Sequence, residues 1–141
     1  MSDSGTLSTV ASIISGFGVA MLFFRIQREL QMQEKDEPIW IPAADWLLIG
    51  ATLVSLLLVI LPIVAVNKDF PVAYRLASSA CAASSILVAG YILSILAHYR
   101  LLFGRQRTGP RENPEPSERI LVRWTVVVAT ILFVSVFVFA H

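Results

Sequence analysis

Four long stretches almost free of charge, at about residues 5–24, 46–66, 72–97 and 120–140, constrain this chain more than any other feature. A helix rises about 1.5 Å per residue, so runs of this length match a hydrocarbon core roughly 30 Å thick. The charges gather in the short segments between them. With 56% hydrophobic and 15% charged residues in 141, the chain is too apolar for an ordinary water-soluble domain. These features predict an all-α integral membrane protein: one domain over 1–141, a four-transmembrane-helix bundle, oligomeric in its working form.

Basic residues set the expected orientation. The loops at 25–45 and 98–119, with the helix start that follows, hold Arg25, Arg28, Lys35, Arg100, Arg105, Arg107, Arg111, Arg119 and Arg123, whereas the opposite side has only Lys68 and Arg75. Lysine and arginine in short loops stay in the cytoplasm. Both termini are therefore expected outside, in the plasma (inner) membrane of a bacterium. Trp40, Trp46 and Trp124 fall at the same boundary and read as interfacial anchors, while Arg100, Arg105 and Arg123 are placed to meet lipid headgroups. The first span is followed by good helix formers and no breaker before Pro38, which predicts that its helix continues past the membrane. Asp45 and Ser117 are the expected N-caps of spans two and four. Span two reads as the most regular of the four, with Pro62 bending its last turn.

Lipid supplies little hydrophobic drive between helices, so close contact needs small residues. Ser8, Ser12, Gly16 and Ala20 recur every four residues on span one, as do Ala73, Ala77, Cys81, Ser85 and Ala89 on span three. Span three is small nearly all round from Ala77 to Ser85, which predicts contacts on several sides and a central position. Spans two and four are bulky and are expected to face lipid.

Chemistry is sparse. Cys81 has no neighbour fit to act as its base, and His98 and His141 fall on opposite sides of the membrane, where they cannot share a metal or haem. None of the four spans has an acidic residue in its interior, which argues against a coupled transporter. No catalytic residue, cofactor or metal site is expected, and a net charge of +1 gives no ground for a nucleic-acid partner. Hydroxyls remain: Ser8, Ser12, Ser15, Ser78 and Ser85, with Gly16 and Cys81, either pack helices or line a path for ions or small solutes in a homo-oligomer. The other reading from these residues is an accessory or assembly subunit of a larger membrane complex. A membrane enzyme would need His98, Tyr99, Arg100 and Arg123 to converge.

Overall fold

The computed structural model describes residues 4–33, 43–65, 71–98 and 116–139, and all of these but a turn at 43–44 are helical. α1 is Ser4–Gln33, α2 is Asp45–Val54, a π-helical segment covers Ser55–Ile60, α3 is Leu61–Ala65, α4 is Pro71–His98 and α5 is Pro116–Phe139. Four helices, with α2, the π segment and α3 counted as one, are long and apolar enough to cross a membrane. As expected, α1 runs on past its apolar stretch, to Gln33.

α1 and α2 pack antiparallel in a strict register. The Arg25 guanidinium lies 3.1 Å from Asp45 Oδ2, a Cβ added to Gly18 would collide with the Thr52 hydroxyl, and Ala11 shares a core cluster with Val59. Each step forward along α1 is thus one step back along α2 and the π segment that continues it. The α1 residues on this seam (Leu7, Ala11, Ser15, Gly18, Leu22, Arg25) advance by steps of four and three, the spacing that keeps two helices in contact along a shallow left-handed crossing.

α4 packs against every other span. In its most apolar stretch 44% of residues are buried, against 11% in α5, so the expected central place of the third span holds inside one subunit. Two apolar layers result. One, toward the chain termini, joins Leu7, Ala11, Val59, Ala77, Ala80 and Cys81. The other, at the loop-bearing end where α1 and α4 finish and α2 and α5 begin, joins Ala44, Leu47, Leu48 and Tyr91. Small residues on α4 let α5 approach closely: a Cβ on Gly90 would run into Thr125. The outer face of α5 (Trp124, Val127, Ile131, Val134 and Val138 among it) is apolar and exposed, which suits lipid and not water.

Three expectations are corrected. Span two is not regular, because Pro62 offers no N–H and its ring crowds the carbonyl four residues back. The chain relieves this by widening before the proline: the Leu61 N–H bonds five residues back to Leu56 O, and Ser55–Ile60 becomes π-helical. Asp45 is not an N-cap. It is already inside the helix and pairs with Arg25, while Ala44 holds the cap position with no side-chain bond. Ser117 is not an N-cap either, since α5 begins at Pro116, whose fixed φ suits the first helical position.

Candidate functional site

Ionisable side chains from all four spans meet at the loop-bearing end. Glu118, in the first turn of α5, has no exposed surface, and His98, at the last turn of α4, is 3% exposed. Their side chains are joined by a 2.6 Å contact between His98 Nδ1 and Glu118 Oε2. The other carboxylate oxygen, Oε1, accepts the backbone N–H of Ala44 at 2.9 Å. One carboxylate therefore binds the last turn of α4 and caps the start of α2. Beside it, Arg25 of α1 donates to Asp45 of α2, with both side chains largely buried.

Each placement has a local reason. Glu118, Val122, Thr125 and Ala129 share one face of α5, and that face packs on α4. A carboxylate in the first turn of α5 and an imidazole in the last turn of α4 both suit the partial charges of those helix ends. The free amides at the start of a helix need acceptors, and for Ala44 the acceptor comes from another helix. Buried charge is costly unless it is paired and hydrogen-bonded, a condition that Glu118 meets with both oxygens.

No acidic residue was expected in the interior of a span; Glu118 lies in the first turn of α5, which begins at Pro116 and so earlier than the expected residue 120. Its position among loop charges after a proline-rich stretch hides it. The available signal is its place on one helical row with Val122 and Thr125. His98, expected as an anchor at the surface, is instead turned inward.

The hydroxyl residues separate. Ser15 and Cys81 are buried inside the bundle, Ser8 and Ser78 are half-buried, and Ser12, Gly16 and Ser85 are exposed. Ser8, Ser12 and Ser15 therefore do not present one common surface. A Cβ on Gly16 would meet nothing within 4 Å, so the four-residue row on α1 makes no close contact there within the subunit. On α4 the row divides, with Ala77 and Cys81 inside and Ser85 and Ala89 outside. Trp46 and Trp124 are exposed near the loop-bearing end, as anchors would be. Arg123 is exposed, and so does not join His98 in one site. Trp40, Arg100, Arg105, Tyr99 and His141 lie outside the described residues.

Among the described residues, no three of histidine, cysteine, aspartate and glutamate converge as metal ligands would. The site can clamp helices, since one carboxylate bonds both the imidazole of α4 and the start of α2. Compared with protein-family models, curated proteins and solved structures, the chain matches none.

Proposed function

We propose that the chain is a non-enzymatic polytopic membrane protein that works as a homo-oligomer, with ions or small solutes passing between copies along the small, hydroxyl-bearing face of α4. One observation carries this reading: small residues suited to helix contact are left on the outer surface of the subunit. Ser85 and Ala89 are exposed on α4, with Ala82 half-buried on the same side, and Ser12 and Gly16 are exposed on α1. In lipid such faces are where helices meet closely, and hydroxyls can stand in for part of a permeant's hydration. The subunit interior is a poor path, because an apolar layer closes it toward each side of the membrane.

The basic residues argue for the loop-bearing end in the cytoplasm and both termini outside, in the plasma membrane of a bacterium. In that setting the His98–Glu118 clamp keeps α2, α4 and α5 together on the cytoplasmic side, while lipid covers the outer faces of α2 and α5.

Flux from vesicles containing the purified chain tests the proposal. Release of potassium or a small neutral solute above that of empty vesicles, lost in Ser85→Leu, is the expected result. An oligomer with no flux for either would sink the conducting path. The second reading is an accessory subunit, favoured by the broad apolar face of α5, which a larger partner can cover as well as lipid can. Recovery of the chain from native membranes in a stable complex with a larger protein supports that alternative.

A further inference from the structure

The hydroxyls inside the spans behave in two ways. Thr9, Thr52, Ser79, Ser85 and Thr130 each donate to the carbonyl four residues earlier, the usual way a helix satisfies such a group. Ser15, Ser55, Ser78, Ser84 and Ser94 do not, and three of them, Ser15, Ser55 and Ser84, fall at one level of the bundle. These three residues are 7%, 0% and 0% exposed, and their Oγ atoms have no hydrogen-bond partner among the described residues.

The three lie in one layer. The register that sets Arg25 against Asp45 and Gly18 against Thr52, continued into the π segment where Val59 shares a cluster with Ala11, brings Ser15 level with Ser55. Val59 shares one core cluster with Ala80 and Cys81, and Leu48 shares the other with Tyr91, so counting inward from both clusters along the antiparallel helices brings Ser84 level with Ser55. The π segment that carries Ser55 contacts both α1 and α4. The layer sits between the two apolar clusters, near the middle of Asp45–Ala65 and of Pro71–His98.

We infer that Ser15, Ser55 and Ser84 form a binding site for ordered water in the middle of the bundle. A buried water needs two to four polar partners, and three hydroxyls from three helices supply that number. Charge does not enter the layer, since Arg25, Asp45, His98 and Glu118 stand at the loop-bearing end. Neutral hydroxyls alone suit water better than a metal ion, which calls for carboxylate or several carbonyl oxygens. The site falls where the π segment begins, at Ser55, and π turns occur often where a helix makes room for a ligand. This site is separate from the outer face of α4 and does not depend on how copies assemble.

Nuclear magnetic resonance of the full chain in lipid nanodiscs, with transfer from water protons to labelled serines, tests it. Water cross-peaks are expected at Ser15, Ser55 and Ser84 and absent at neighbouring Val59 and Ala80. Ser55→Ala should remove the cross-peaks at Ser15 and Ser84 as well as its own, while Ser79→Ala, outside the layer, should leave all three in place. Absence of the three cross-peaks in the unaltered chain overturns the inference. So does a Ser55→Ala spectrum in which those of Ser15 and Ser84 persist at full strength.

Discussion

Two glycines of α1, Gly16 and Gly18, stand two residues apart and meet opposite surroundings. A Cβ on Gly18 would strike Thr52, whereas one on Gly16 would enter open space. The inner face runs from Leu7 through the small residues Ala11, Ser15 and Gly18 to Leu22, and it packs on α2, the π segment and α4. The outer face is Ser12, Gly16 and Ala20, exposed throughout. A glycine pressed against a neighbour serves the fold of the subunit, while a row of small residues facing outward has no use inside it. The spacing differs in the same sense. Steps of three and four hold a straight seam, but steps of four drift round the helix and suit a steeper crossing with a different partner.

Substitutions on the two sides should separate cleanly. The largest effect is expected at the clamp that closes the inner side: Glu118→Ala leaves His98 and the Ala44 N–H buried without their acceptor, at a cost of about 3–5 kcal/mol. Unfolding in mixed micelles measures this, and Glu118→Gln, which can still accept from Ala44, should lose less. Next comes Gly18→Ala, where the new methyl meets Thr52 and costs about 1–3 kcal/mol. Adding Thr52→Ala removes the atoms it strikes and should recover most of that loss; no recovery would place the cost elsewhere. Smallest is Gly16→Val, expected to change subunit stability by no more than about 0.5 kcal/mol because the side chain meets nothing there. A large loss from Gly16→Val would erase the distinction between the faces.

These distinctions were only partly legible in the sequence. The four spans were readable because charge is excluded from a long stretch in lipid, and the continuation of α1 to Gln33 followed from its helix formers and the absence of a breaker. The seams were not. Ser12 and Ser15 differ by three residues and look alike on a helical wheel, yet only their partners decide that one is exposed and the other buried. The π turn was concealed because Pro62 acts on the turn before it, so a stretch of leucine, valine and isoleucine looks regular while its backbone widens. Glu118 was hidden by company: it stands beside exposed Arg119, and its burial depends on His98 and Ala44, both far away in the chain.

The account rests on the outer small-residue face being a contact between copies. Native mass spectrometry of the chain released from lipid nanodiscs, unaltered and as Gly16→Val, tests this most directly. More than one copy per particle for the unaltered chain, falling to a single folded copy in Gly16→Val, is the predicted result. A single copy in the unaltered chain, or the same copy number in both, would contradict it.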